Sequence, residues 1–158
     1  ISVELEMRAQ KFNGVPNDFY DGFVSLNLLD FTTGVAIDFF VSNECFATVY
    51  ARLPFPGSPA PEGDGQKYFG MFKEQPLPKG PLQTHRYKIT YNHGTDELFF
   101  YVEGELVNHE VNVPKVSQFI AALGLMTEKD MVSGKSVSCH GQGLMGEWSP
   151  LTITTRCA

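Results

Sequence analysis

The chain has 158 residues, enough to bury a substantial core in one domain without disulfide or metal staples. Its formal charge is −6 and its densest basic pair is Arg86 and Lys88, which leaves no basic track for a nucleic-acid partner. With 42% hydrophobic residues it has a globular composition, yet no apolar run approaches the roughly 20 residues of a membrane-spanning helix.

The chain opens in a strand pattern. Ile1, Val3, Leu5 and Met7 alternate with Ser2, Glu4, Glu6 and Arg8, the period of two that turns one face to a core and the other outward. Because the pattern is already running at Ile1, removal of a leader or a fragment boundary is expected. A loop follows at 11–21, rich in Asn, Gly, Pro and Asp. Strands are predicted at 22–29, 35–41 and 45–52, separated by Asp30-Phe31-Thr32-Thr33-Gly34 and by Ser42-Asn43-Glu44. Residues 54–65 hold four prolines and three glycines, which bars both strand and helix. A further strand is predicted at 68–72, and a loop at 76–81.

Residues 84–107 carry the strongest local signal. His85, Tyr87, Ile89 and Tyr91 share one face of a strand, and Arg86, Lys88 and Thr90 share the other. Asn92-His93-Gly94-Thr95-Asp96 supplies a polar turn, since Gly and Asn tolerate the positive φ a reversal needs. The partner strand spans 97–103 and restarts after Gly104 at Glu105-Leu106-Val107. Beyond it come strand candidates at 110–113 and 119–126, the latter apolar enough to be buried. A hydrophilic stretch around Lys129-Asp130, a Gly-rich loop or bulge at 141–146 and a last strand at 151–156 complete the chain. Only 114–122 could form a helix. About ten short strands with Gly/Pro punctuation predict an all-β sandwich of two sheets in a single domain covering 1–158.

Strand parity gives a candidate surface. With Val3 and Leu5 inward, Glu4, Glu6 and Arg8 face out. With Val35, Ile37 and Phe39 inward, Asp38 and Phe40 face out. On the next strand the small residues Cys45, Ala47 and Val49 are taken as inward, which places Phe46, Thr48, Tyr50 and Arg52 outside. A ligand face of Glu4, Glu6, Arg8, Asn27, Asp38, Phe40, Phe46, Tyr50 and Arg52 follows, combining aromatic rings with hydrogen-bonding groups as a sugar or flat organic site does. The pairs Phe39-Phe40 and Phe99-Phe100 place one ring on each side of a sheet. With 13 Phe, six Tyr and one Trp, Trp148, such a groove also fits a lipophilic ligand.

The remaining motifs carry little chemistry. Three cysteines allow either three buried thiols or a Cys139–Cys157 bridge with Cys45 left free. No Cys-x-x-Cys occurs, and His85, His93, His109 and His140 show no metal spacing, so neither metal nor cofactor is expected. His85 reads as a structural histidine. Cys139 and His140 are adjacent and point to opposite faces of a strand, which disfavours a thiolate pair. Gly141-Gln142-Gly143-Leu144-Met145-Gly146 has dinucleotide-like spacing without the βαβ context that gives it meaning.

The run His85-Arg86-Tyr87-Lys88-Ile89-Thr90-Tyr91, its turn, and Leu98-Phe99-Phe100-Tyr101-Val102-Glu103-Gly104-Glu105-Leu106-Val107 resembles the strand pair of concanavalin A-like lectin/glucanase jelly rolls. Leu28-Leu29-Asp30-Phe31-Thr32-Thr33-Gly34-Val35-Ala36-Ile37-Asp38-Phe39 is similar to an uncharacterised, mainly actinobacterial group of that superfamily. The resemblance covers residues 1–107, with Glu103 standing where Asp is usual. It implies a jelly roll of two antiparallel sheets, a ligand on the concave face, and strands that precede Ile1.

Glucanases of the superfamily carry Glu-x-Asp-x-x-Glu on a strand. The nearest match here, Glu4-Leu5-Glu6-Met7-Arg8, lacks the third acid. Two residues apart on a strand, Glu4 and Glu6 stand about 7 Å apart at Cα; retaining glycosidases hold their carboxyl groups roughly 5–5.5 Å apart. The reading is therefore a non-catalytic, secreted binding protein with carbohydrate as its first ligand. The alternatives are a binder of a lipophilic or aromatic small molecule, and a glycan hydrolase or lyase using Glu4 and Glu6. Self-association or a companion chain is expected, through the strand at 2–8 or that at 151–156.

Overall fold

In a computed structural model of the chain, residues 1–54, 68–127, 129–133, 135–136 and 141–156 are described. They form strands β1 (Ser2–Phe12), β2 (Phe23–Asp30), β3 (Val35–Val41), β4 (Cys45–Arg52), β5 (Phe69–Pro76), β6 (His85–Asn92), β7 (Glu97–Val102), β8 (Glu105–Val111), β9 (Ile120–Met126), β10 (Met131–Val132), β11 (Lys135–Ser136), β12 (Gly143–Trp148) and β13 (Thr152–Thr154). One 3-10 turn, Phe19–Asp21, precedes β2.

Two antiparallel sheets build the sandwich. Sheet one runs β12-β1-β6-β7-β8, with β13 pairing the first residues of β1. Sheet two runs β5-β4-β3-β2-β9, and β10 and β11 form a separate hairpin. The expected all-β jelly-roll architecture is the one observed.

Alternation explains the core. Val3, Leu5 and Met7 of β1, Tyr87 and Ile89 of β6, and Leu98 and Phe100 of β7 face Leu26 and Leu28 of β2, Ile37 and Phe39 of β3, and Phe46 of β4. Phe39 meets Tyr87 at 5.0 Å and Phe100 at 5.3 Å, both edge-on, the geometry ring quadrupoles favour. A second cluster lies on the far side of sheet two, where Phe19, Phe23, Phe40, Cys45 and Ala47 pack together. There Phe23 stacks on Phe40 at 3.9 Å.

The parity expected for β1 and β3 is observed, but that of β4 is reversed. Cross-strand partners share a face, and the Ser42-Asn43-Glu44 connection sets Val41 opposite Phe46 and Phe39 opposite Thr48. Inward residues of β3 therefore demand Phe46, Thr48 and Tyr50 inward, with Cys45 and Ala47 outside beneath the Phe23–Phe40 stack. Side-chain size does not mark the inner face of β4: the inter-sheet gap takes the large rings, and the small side chains make room for a second layer.

Three other expectations change. Residues 119–126 are not a buried strand but the edge strand β9, with Ile120 54%, Leu123 45% and Leu125 52% exposed. The Gly-rich stretch continues as β12, paired with β1 from Trp148 opposite Met7 to Gly143 opposite Phe12. At Gly146 a Cβ would stand 2.5 Å from the Trp148 ring folded over it, so a side chain there would displace that ring. Residues 114–119 carry no helix, and β9 begins at Ile120. Most of the Pro/Gly-rich 54–65 segment lies outside the described residues, as do Cys139, His140 and Cys157.

Hairpins fix the registers. Glu103 and Gly104 both take positive φ, 55° and 87°, in the two-residue turn between β7 and β8. Glu103 also accepts the Arg86 backbone N–H at 2.8 Å and pairs with Lys79, so the residue that departs from the family pattern is held in place. In the β6–β7 turn the positive φ falls on Asp96, at 54°, rather than on Gly94.

Candidate functional site

The residues expected to share one face are divided by the sandwich among three places. Glu4, Glu6 and Arg8 lie on the outer face of sheet one. Asn27, Asp38 and Phe40 lie on the outer face of sheet two. Phe46, Tyr50 and Arg52 are turned between the sheets by the β4 register and are buried. The Arg52 Nε donates to the Thr33 carbonyl at 2.9 Å. Burial also raises the Tyr50 hydroxyl pKa above its usual range. These three side chains belong to the scaffold.

The outer face of sheet two is closed. Asn27 and Asp38 stand opposite one another across β2 and β3, yet they are only 6% and 5% exposed. The Asn27 amide donates to Ser25 Oγ at 2.9 Å and to the Ala122 carbonyl at 3.2 Å. Phe40 is held by Phe23 and lies 6.2 Å from Phe72. Burial pushes the Cys45 thiol up to about 12, which makes it an inert apolar group at neutral pH.

The outer face of sheet one is open. A groove of about 1030 Å³ runs across it, lined by Ser2 and Glu4 of β1, Lys88 and Thr90 of β6, Phe99 and Tyr101 of β7, and Thr152 and Thr154 of β13. Asn92, His93, Gly94 and Arg156 close one end. Sheet order produces this assembly: β1 and β6 are some eighty residues apart in sequence, and Glu4 lies between Lys88 and Thr152 only because β1 is central. On the other side Lys88 pairs in register with Tyr101.

Charge and aromatic surface alternate along it. Glu4 faces Lys88 in the groove and, outside its lining, Glu6 faces Arg86; among the described residues none of these four side chains forms an ion pair. Lys88 instead holds its Nζ 5.8 Å above the Tyr101 ring centroid. Ser2 and Thr90 share a hydrogen bond of 2.8 Å between hydroxyls. Arg8 is spoken for, paired with Glu147 at 3.0 Å. Behind the aromatic wall, His109 lies flat on Phe99 at 4.4 Å and meets Glu97 at 3.1 Å. The Thr95 hydroxyl, followed by His109, holds the Glu97 carboxyl below its ordinary range.

Of the nine residues expected at the site, Glu4 alone lines this groove; Glu6 and Arg8 lie outside its lining, and Ser2, Lys88, Thr90, Phe99, Tyr101, Thr152 and Thr154 were not among those expected. Parity does put Lys88 and Thr90 outward; what it lacked was the neighbour relation of β1, β6 and β13. Among the described residues no three His, Cys, Asp or Glu side chains converge on a point where a metal could sit. No described helix is long and apolar enough to cross a membrane.

Two antiparallel sheets in this order form an all-β jelly-roll sandwich of the kind seen in glycosidic hydrolase structures. By sequence the chain belongs to the family of unknown function DUF6081, whose model matches residues 1–157. No curated protein matches the sequence significantly. Among solved structures, it is similar to a native glycosidic hydrolase, with TM-score 0.55, 16% identity, and 95% of this chain and 62% of that one covered. A structure described under human gut microbiota endo-acting O-glycanases that initiate mucin breakdown gives TM-score 0.55 at 10% identity, covering 93% of this chain and 55% of that one. The κ-carrageenase of Pseudoalteromonas carrageenovora, solved with a κ-carrageenan oligotetrasaccharide, gives 0.54 at 14% identity, covering 95% and 62%. The chain thus spans 55–62% of the length of these structures. At such identities the likeness is one of fold.

Proposed function

We propose that this chain is a non-catalytic carbohydrate-binding protein whose ligand lies in the groove on the outer face of sheet one. The observation that carries the reading is the pair Glu4 and Lys88 in the groove, which among the described residues form no ion pair although they stand in register. These opposite charges stand beside the half-buried rings of Phe99 and Tyr101. Carboxylates there accept from sugar hydroxyls and the cations donate, while Tyr101 offers a ring face to sugar C–H groups. The hydroxyls of Ser2, Thr90, Thr152 and Thr154 extend the same pattern. The names of the structural neighbours, all glycan-active, support the ligand class by analogy of fold.

The hydrolase reading draws on Glu4 and Glu6, two carboxylates on one face of β1. On the outer face of sheet two, β2, β3 and β4 carry one acid, Asp38, which is buried, and Glu74 of the edge strand β5 stands exposed opposite Ala47. The lipophilic alternative has less support, since the Phe-rich cluster is filled by its own stacked rings. A glycan array followed by a reducing-sugar assay on every hit decides among them. Binding without sugar release is expected.

The chain as a single binding domain, the closer kinship with a mainly actinobacterial group, and an extracellular location are parts of the same proposal. So is self-association, for which β9 is the better edge. The strand at 2–8 is central in sheet one and has no free edge to offer. Three of the outer strands are guarded: β5 carries Lys73, Glu74 and Pro76, β8 has a register shift and Glu110, and β13 is three residues long. Strand β9, IAALGLM, has no charge and no proline.

A further inference from the structure

Resting on the carbohydrate reading, we propose that the glycan is acidic, with a carboxylate or sulfate ester seated at the groove end formed by Asn92, His93, Thr154 and Arg156. That end is made of donors. Arg156 is exposed and forms no ion pair among the described residues. The Asn92 side-chain oxygen accepts the Gly94 N–H at 3.0 Å, which leaves the amide NH2 to face a ligand. His93 is held edge-on to Tyr91 at 6.2 Å, and Thr154 supplies a hydroxyl.

Among the described residues, the acids at this end are paired. Asp96 is paired with Lys115 at 3.0 Å, and the same lysine donates to the His93 carbonyl at 3.4 Å. Glu97 is taken by Thr95 and by His109. Glu4 lies further along, opposite Thr152 rather than Thr154, so about 7 Å of strand separates it from the donor end. A chain of net charge −6 therefore carries here a local excess of donors, and among the described residues the one unpaired carboxylate lining the groove is Glu4, further along it. The Arg156 fork matches a carboxylate or sulfate, and Lys88 offers a second cation along the groove.

The test uses the full chain on an array of neutral, uronate-bearing and sulfated glycans, then calorimetry on the best acidic hit and its neutral counterpart. Acidic glycans should bind roughly tenfold tighter at about 20 mM salt, the gap shrinking several-fold near 300 mM as screening sets in. Arg156→Gln should bring acidic binding down toward the neutral level without moving the unfolding temperature, since the side chain is exposed. Hits confined to uronates or to sulfated sugars identify which anion is read. Equal or preferential binding of neutral glycans would overturn the acidic inference while leaving the carbohydrate reading intact. An array with no hits at all would overturn both.

Discussion

Lys88 stands directly across from Glu4 in the β1–β6 register, yet it lies over the Tyr101 ring and makes no ion pair with the carboxylate. A solvated strand face normally gains little from such a pair, so its absence costs little. What it leaves is a carboxylate without an ion-pair partner among the described residues, beside an ammonium that rests on an aromatic face.

If that trio binds sugar, Tyr101→Ala should weaken glycan affinity by about tenfold or more, roughly 1.4 kcal/mol, by removing the stacking surface. Tyr101 is only half-buried, so the variant should keep its fold. Titration calorimetry on the variant checks this, and unchanged affinity would move the ligand elsewhere.

Glu4→Gln and Glu6→Gln address catalysis. A pure binder has no turnover to lose, and each variant should change affinity by less than about tenfold. Reducing-sugar release by the wild type that vanishes in both variants would establish a hydrolase instead.

Stability should fall in acid, in two stages. Burial holds the His85 pKa below its ordinary 6.5, so the unfolded chain binds that proton more readily. Its contribution is complete above about 6.5 and declines as pH drops below it. Partial burial opposes ionisation of Glu103, but Lys79 and the Arg86 N–H outweigh it and hold its pKa below 4.5. That contribution is present above 4.5 and is lost as pH falls through the lower, folded-state value. Melting temperatures followed from about pH 8 to 3.5 should show both declines, with His85→Gln removing the upper one and Glu103→Gln the lower. A flat profile between about pH 7.5 and 5.5 in the wild type would contradict the assignment to His85.

The reversed face of β4 gives a packing prediction. Phe46→Ala, between the sheets, should cost about 3–5 kcal/mol, whereas Phe72→Ala, an exposed ring at the rim of the buried second cluster, should cost less than about 2. Denaturant unfolding ranks the two, and the opposite order would mean the aromatic layers are misassigned.

These residues also show where the sequence could be read and where it could not. The period of two placed Glu4, Glu6 and Arg8 on one face and Ile37 and Phe39 on the other, because alternation is local. The face of β4 was not local: it depends on the register set by Ser42-Asn43-Glu44, and side-chain size pointed the wrong way. Strand β9 looked buried because its residues are apolar, while its exposure depends on which strands lie beside it. The groove was half legible for the same reason. Glu4 and Lys88 were each assigned outward, but their adjacency comes from sheet order, which periodicity does not encode.

Self-association through β9 should make the chain run above one chain's mass at micromolar concentration. Leu123→Lys, which puts a charge on the edge, should return it to a monomer. A wild-type monomer in sedimentation would contradict it.

The most direct measurement is an amide NMR titration of the full chain with the tightest glycan from the array. Shifts clustered on Ser2, Glu4, Lys88, Thr90, Tyr101, Thr152 and Thr154 are the expected result. Shifts centred on Asn27, Asp38 and Phe40 of sheet two, or none above background, would contradict binding on the outer face of sheet one.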